Sequence, residues 1–236
     1  MSLFNKPDNS FSADRQNGAS DSRRTAESHV HPSAARGKRI VDLTVAASAL
    51  LMTSPLFPVI AVAIRLETRG PVFFRQLRIG RAWADRVELF EMVKFRTMVA
   101  DAEAQTGPVW AGKDDPRITR VGRFLRKTRL DELPQLWNVI KGEMSLIGPR
   151  PERPGICHRL EREIPFFAER TYGLAPGITG LAQVNQGYDE TLDDVRRKVG
   201  YDHGYALALS SPGGWITADL NIALRTLLVM AGGRGR

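Results

Sequence analysis

Leu43-Thr44-Val45-Ala46-Ala47-Ser48-Ala49-Leu50-Leu51-Met52-Thr53-Ser54-Pro55-Leu56-Phe57-Pro58-Val59-Ile60-Ala61-Val62-Ala63-Ile64 is a run of 22 residues without one charged side chain. As a helix, that length crosses ~30 Å of hydrocarbon. Pro55 and Pro58 stand in its middle, where each removes a backbone donor and favours a kink. Basic residues flank both ends, Lys38 and Arg39 before it, Arg65 and Arg69 after it, and such residues tend to stay on the cytoplasmic side of a bilayer. A helix that enters the membrane, bends at Ser54-Pro55 and returns meets both conditions. Ser54 is then placed to satisfy a backbone group freed at the bend. A straight crossing and a buried core helix are the alternatives this pattern leaves open.

Working outward divides the chain into three parts. Residues 1–36 are rich in Ser, Asn, Asp, Arg and Ala and lack apolar periodicity, which predicts a disordered polar tail. The first apolar run starts only near Ile40, too late for a secretory signal. Residues 37–69 form the membrane segment and residues 70–236 the globular domain. In that domain Val72-Phe73-Phe74 and Val87-Glu88-Leu89-Phe90 read as strands around a turn at Gly80-Arg81. Helical patterns follow at Ala100–Gln105, Val121–Thr128, Leu133–Lys141, Arg159–Arg170 and Thr191–Tyr205. The last, Trp215–Met230, is amphipathic with Trp near its start. It suits a membrane interface and equally a helix packed on the core.

The formal charge of +8 calls for a polyanionic partner: nucleic acid, an anionic membrane surface or phosphorylated ligands. Nucleic acid is disfavoured, because the aromatic residues are scattered and no groove-reading motif is present. Cys157 is the sole cysteine, which rules out an internal disulfide and a cysteine-based zinc site.

The chemistry concentrates at Asp131-Glu132, just ahead of the helix that starts near Leu133-Pro134. A carboxylate there can simply cap the helix. Two adjacent carboxylates have a further use: one can attack phosphorus while the other holds a magnesium ion, and a helix N-terminus favours phosphate. Lys94, Arg96, Arg123, Arg126, Lys127, Arg129, Arg150 and Arg153 surround the pair in sequence, and arginine forks match phosphate oxygens. Gly148-Pro149-Arg150-Pro151 is a rigid turn that would hold Arg150 on a fixed backbone. The residues alone thus give a magnesium-dependent phosphate-handling site beside a membrane segment.

From Lys38 to the C-terminal end the sequence resembles the bacterial sugar transferase family, the monotopic polyprenyl-phosphate phosphoglycosyl transferases, in its minimal form without a large N-terminal membrane domain. The blocks that carry the resemblance stand in order. They are Lys38-Arg39 with Ser54-Pro55; Gly70-Pro71-Val72-Phe73-Phe74-Arg75-Gln76 with Arg78 and Gly80; and Lys94-Phe95-Arg96-Thr97-Met98. Then come Leu130-Asp131-Glu132-Leu133-Pro134-Gln135-Leu136-Trp137-Asn138-Val139, Lys141-Gly142-Glu143-Met144-Ser145 leading into Gly148-Pro149-Arg150-Pro151, and Pro176-Gly177-Ile178-Thr179-Gly180-Leu181-Ala182-Gln183-Val184. One departure is visible: Asn185-Gln186-Gly187-Tyr188-Asp189 lacks the arginine that many relatives carry there.

The resemblance implies an α/β, helix-rich small catalytic domain with one N-terminal re-entrant membrane helix and interfacial amphipathic helices. It implies an enzyme at the bacterial inner membrane, its catalytic domain on the cytoplasmic face. Asp131 would attack the β-phosphate of a UDP-sugar and release UMP. Polyprenyl phosphate would then take the sugar phosphate from the covalent aspartyl intermediate, initiating a surface polysaccharide such as exopolysaccharide, capsule or O-antigen. Glu132 would help bind Mg²⁺. Lys94, Arg96, Arg126, Arg150 and Asp202 would contact substrate, and Ser54 and Pro55 would form the membrane bend. Membrane lipid is a further implied partner. A homodimer is compatible with the sequence, and the sugar is left open.

Overall fold

The computed structural model describes residues 29–100, 102, 115–186 and 191–231. Two helices lead, α1 (Pro32–Thr53) and α2 (Leu56–Glu67), bent by 61° at the Ser54-Pro55 break. Residues 32–36, read as part of the polar tail, belong to α1, and residues 1–28 of that reading lie outside the described residues. Pro32 opens α1 in the first turn, where a missing N–H costs nothing, and His31 Nδ1 accepts the Ser33 N–H at 3.3 Å. At the bend Ser54 Oγ donates to the Leu51 carbonyl at 2.8 Å, the backbone compensation expected of it. Among the described residues no single helix is long and apolar enough to cross a membrane, but this bent pair passes that test together.

Two strands, β1 (Phe73–Ala82) and β2 (Val87–Phe95), form an antiparallel hairpin with Phe73 opposite Phe95 and Ile79 opposite Leu89. Gly80-Arg81 lies inside β1 and not at the turn. The chain reverses later, closed by the Trp83 N–H to the Arg86 carbonyl at 2.8 Å. Next come α3 (Arg120–Thr128), a 3₁₀ turn (Leu130–Glu132), α4 (Gln135–Lys141), β3 (Ser145–Ile147) and α5 (Pro154–Glu163). The helix read over Arg159–Arg170 is broken: Pro165 cannot continue it, Phe166 takes φ 66°, and a 3₁₀ turn (Phe167–Thr171) follows. The chain continues as β4 (Gly177–Thr179), α6 (Leu181–Asn185), α7 (Leu192–Ala208) and α8 (Pro212–Ala231). The helix expected at Ala100–Gln105 falls largely outside the described residues.

The leading helices share the core of the globular part. Ala46 of α1 is buried with Phe90, Met92, Leu136, Val139 and Met144. Ile60 and Ile64 of α2 are buried with Phe95 and Leu125. Their outer faces stay exposed, with Leu51 at 77% and Leu66 at 83%.

Lys38 and Arg39, read as flanking charges, have specific protein partners. Arg39 donates to the Val139 and Ile140 carbonyls at 2.6 and 2.7 Å, covering the C-terminal end of α4, where a cation also suits the helix dipole. Lys38 meets Asp219 of α8 at 3.0 Å. Asp219 also accepts from the Trp215 indole and the Tyr205 hydroxyl, both at 2.7 Å. Trp215 is thus turned toward the core, while Ile216, Leu220, Leu224 and Leu228 of the same helix are exposed along one stripe. One face of this helix packs on the core, as one of the two expectations had it, and the opposite face is apolar and exposed. Cys157 is buried, and burial pushes its thiol up to about 11.

Candidate active site

Lys94-Phe95-Arg96-Thr97-Met98 shows how one short block joins four elements. Alternation along β2 sends successive side chains to opposite faces. Phe95 enters the core with α2 and α3. Lys94 reaches Glu132 Oε1 at 2.8 Å. Thr97 docks α3: its carbonyl accepts the Thr119 N–H, and its hydroxyl accepts Arg126 Nε at 2.9 Å. A Cβ on Gly122 would sit 2.0 Å from that carbonyl, so the α3 backbone lies directly on the strand end. Glu67, at the end of α2, accepts the Arg120 and Val121 N–H groups at 2.7 and 2.9 Å, filling donors orphaned at the start of α3.

α3 ends at Arg129, whose φ of 59° is left-handed, an uncommon conformation for a residue with a Cβ. The reversal turns the chain straight into the 3₁₀ turn that carries Asp131 and Glu132. Neither carboxylate acts as a side-chain cap of α4, whose N-cap is Pro134. Asp131 is 7% exposed and its Oδ1 is buried without a hydrogen-bond partner. Burial pushes its carboxyl above the ordinary aspartate range; adjacent Glu132 adds to this, while Lys94, Arg126 and Arg129 pull it back. For Glu132, burial also opposes the charge, but Lys94 and Arg150 outweigh it and hold the carboxyl well below the usual range. Arg150 Nη2 lies 3.3 Å from Glu132 Oε1. Two neighbouring carboxylates are thereby pushed apart in acidity, an arrangement frequent where acid–base or nucleophilic roles are divided.

Arg150 is placed by backbone meeting backbone. β3 and β4 pair in parallel, Ser145 with Gly177 and Ile147 with Thr179. The Gly148 N–H donates to the Thr179 carbonyl and the Gly177 N–H to the Pro149 carbonyl, both at 2.9 Å. The two glycine-bearing blocks of the sequence are therefore two halves of one clasp. Arg78 of β1 donates to the Pro151 carbonyl at 3.0 Å.

The structure brings together Lys94, Asp131, Glu132 and Arg150. Arg126 stands next to them, its Nη groups without a protein acceptor among the described residues. Arg96 and Asp202 are placed elsewhere. Arg96 is 6% exposed and donates to the Thr68 and Arg69 carbonyls at 2.8 and 2.9 Å, clamping the exit of α2. Asp202 is 1% exposed and pairs with Arg170 at 2.7 Å. Arg170 in turn donates to the Arg150 carbonyl at 2.6 Å, and Lys198 meets Glu152 at 2.7 Å in the same buried group. Asp202 thus reaches the site at second hand. Ser54 and Pro55 are at the helix bend.

Two side chains that the sequence quoted without a role are prominent here. Asn138 takes the Val93 N–H on Oδ1 at 3.1 Å and donates to the Glu91 carbonyl at 2.8 Å, fastening α4 to β2. Gln135 is 2% exposed and its Nε2 has no partner. Both are polar residues within an apolar helical pattern, and that intrusion was the available signal.

A magnesium ion asks for one or two carboxylates, its other positions being filled by water and substrate phosphate. Adjacent Asp131 and Glu132, with Asp131 Oδ1 unpartnered, fit that demand. No larger cluster of metal-ligating side chains exists among the described residues.

Two carboxylates flanked by Lys94 and Arg150 have the chemistry suited to handling phosphate. The bacterial sugar transferase family model matches residues 33–233, and the chain belongs to that family. It is 43% identical over 198 residues to the Aeromonas hydrophila UDP-N-acetylgalactosamine-undecaprenyl-phosphate N-acetylgalactosaminephosphotransferase, covering 84% of this chain and 44% of that protein. It is 41% identical over 194 residues to the Caulobacter vibrioides UDP-glucose:undecaprenyl-phosphate glucose-1-phosphate transferase, covering 80% and 68%. It is 39% identical over 202 residues to the exopolysaccharide production protein PSS of Rhizobium leguminosarum bv. phaseoli, covering 81% and 93%. The chain thus spans under half of the Aeromonas relative and nearly all of the Rhizobium one.

Proposed function

We propose that this protein transfers a sugar 1-phosphate from a UDP-sugar to polyprenyl phosphate, releasing UMP, and so initiates a surface polysaccharide. The observation that carries this reading is the Asp131 carboxylate, buried with an open Oδ1 beside a Glu132 held ionised by Lys94 and Arg150. An oxygen so placed, desolvated and free of hydrogen bonds, is a nucleophile. Asp131 attacks the β-phosphorus, the bond to the UMP oxygen breaks, and a sugar-phosphoryl aspartate remains. The phosphate of the polyprenyl carrier then attacks that phosphorus and frees the aspartate, a two-step covalent scheme. Arg126 and Arg150 bind phosphoryl oxygens. Lys94 keeps Glu132 charged. Glu132 would help hold Mg²⁺, which would neutralise charge on the diphosphate. The relatives' names include both N-acetylgalactosamine and glucose donors, and the Rhizobium relative is named for exopolysaccharide production.

The protein works at the bacterial inner membrane with its catalytic side facing the cytoplasm. The apolar outer faces of α1, α2 and α8 supply the lipid contact, and both ends of the bent pair lie on one side. Pro55→Ala should straighten the pair and move one end across the bilayer. Cysteine-accessibility labelling at both flanks checks this; unchanged cytoplasmic labelling would show that Pro55 is not required for the bend.

The reaction itself is tested by UMP release from UDP-N-acetylgalactosamine, UDP-glucose and related donors with polyprenyl phosphate and Mg²⁺. UDP in place of UMP would mean ordinary glycosyl transfer and would end this reading.

A further inference from the structure

Asp131, Glu132, Gln135 and Asn138 are spaced so that they share one side of the turn-and-helix run from Leu130 to Lys141. The two ends of this polar ridge are tied to β2. Asn138 takes the Val93 N–H and donates to the Glu91 carbonyl. Glu132 takes the next residue of the strand, Lys94. Gln135 lies between them. It is 2% exposed, and its Nε2 is buried without a hydrogen-bond partner. A buried donor without a partner is expensive, and such groups are rare in folded proteins. One turn earlier on the same ridge, Asp131 Oδ1 is likewise buried and unpartnered. An orphaned donor and an orphaned acceptor therefore share a face at the reacting carboxylate, and they do not satisfy one another.

A phosphoryl group on Asp131 resolves both. Its phosphorus bonds the aspartate oxygen, and its non-bridging oxygens accept hydrogen bonds. Resting on the phosphotransfer reading above, we infer that Gln135 is a catalytic residue whose Nε2–H donates to a non-bridging oxygen of the phosphoryl group transferred at Asp131. The amide is uncharged and keeps its proton throughout. It stabilises the charge that builds on the equatorial oxygens as the phosphorus passes between UMP and aspartate. It also separates substrate roles: the arginines bind phosphate in the ground state, whereas Gln135 meets only a group already seated on Asp131.

The test uses the full chain in membranes or detergent with the most active UDP-sugar and Mg²⁺, first without polyprenyl phosphate, so that one equivalent of UMP reports the first half-reaction. Gln135→Met keeps the volume and removes the amide. The expected result is a UMP burst slowed by about 10²-fold, with KM for the donor nearly unchanged and a Tm equal to or above wild type, since an unsatisfied amide has left the interior. A burst at the wild-type rate would overturn the inference. So would a slowed burst accompanied by a lowered Tm, which would make Gln135 a packing residue. Wild-type protein that releases UDP, or no nucleotide at all, would remove the reaction reading itself and this inference with it, a failure distinct from the first two.

Discussion

Asp131→Asn should abolish UMP release, by on the order of 10⁴-fold or more, while the folded protein becomes no less stable. Two effects of one carboxylate separate here. As nucleophile it is irreplaceable, because an amide oxygen does not form the acyl phosphate. As a buried charge it works against folding. Its pKa is raised in the folded state, with burial the largest cause. For a group raised in this way the folded form holds its proton more tightly than the unfolded form. The stabilisation is therefore present in acid and is lost as the pH rises past the ordinary aspartate value towards the raised one. Above the raised pKa the wild type carries the whole penalty, and asparagine, of the same shape, removes it. Thermal unfolding of both proteins at pH 7, beside an acid series, measures this. A clearly lower Tm for Asp131→Asn would show that the carboxylate is held by favourable contacts. Retained turnover would remove Asp131 from the chemistry.

Gly177→Ala should cost both stability and activity. A Cβ at Gly177 would stand 2.1 Å from the Gly148 nitrogen and 2.4 Å from the Thr179 carbonyl oxygen. Both are backbone atoms and cannot rotate away. The clasp would have to open, losing the Gly148-to-Thr179 and Gly177-to-Pro149 hydrogen bonds. Overpacking of this kind costs about 3 kcal/mol, which for a chain of this size lowers Tm by roughly 6–12 °C. Arg150 is carried on the loop just beyond Gly148, so its hold on Glu132 loosens and the rate falls as well. Gly155→Ala is the control, because nothing lies within 4 Å of its added carbon. Equal Tm values for the two variants would mean that the clasp has room it does not show.

Much of the site was legible in the sequence because its parts are local. Asp131 and Glu132 are adjacent, Arg150 sits in a proline-framed turn, and an uncharged run interrupted by Pro55 bends where proline bends a helix. Arg96 misled because an arginine near a basic cluster looks the same whether it faces phosphate or backbone. Only the fold shows that the carbonyls of Thr68 and Arg69 take it. The group of Glu152, Arg170, Lys198 and Asp202 was beyond reach for a different reason. Its members are up to 50 residues apart, and pairing over such separations leaves no periodic trace. Gly80-Arg81 failed as a turn because a glycine inside a strand differs in no composition signal from one at its end. Pro165 was the overlooked breaker in Arg159–Arg170.

Arg39 and Asp42 have a mechanical meaning beyond their hydrogen bonds. Arg39 grips the far end of the helix that follows Asp131, and Asp42 Oδ1 takes the Leu146 N–H at 3.0 Å, both from the first turns of the helix proposed to enter the lipid. No slack linker separates anchor from chemistry. Seated in a bilayer, the protein then behaves like a depth gauge: the insertion of α1 sets the height at which the aspartate waits. In the proposed reaction, a water-borne donor and a lipid-borne acceptor would have to meet at that one level.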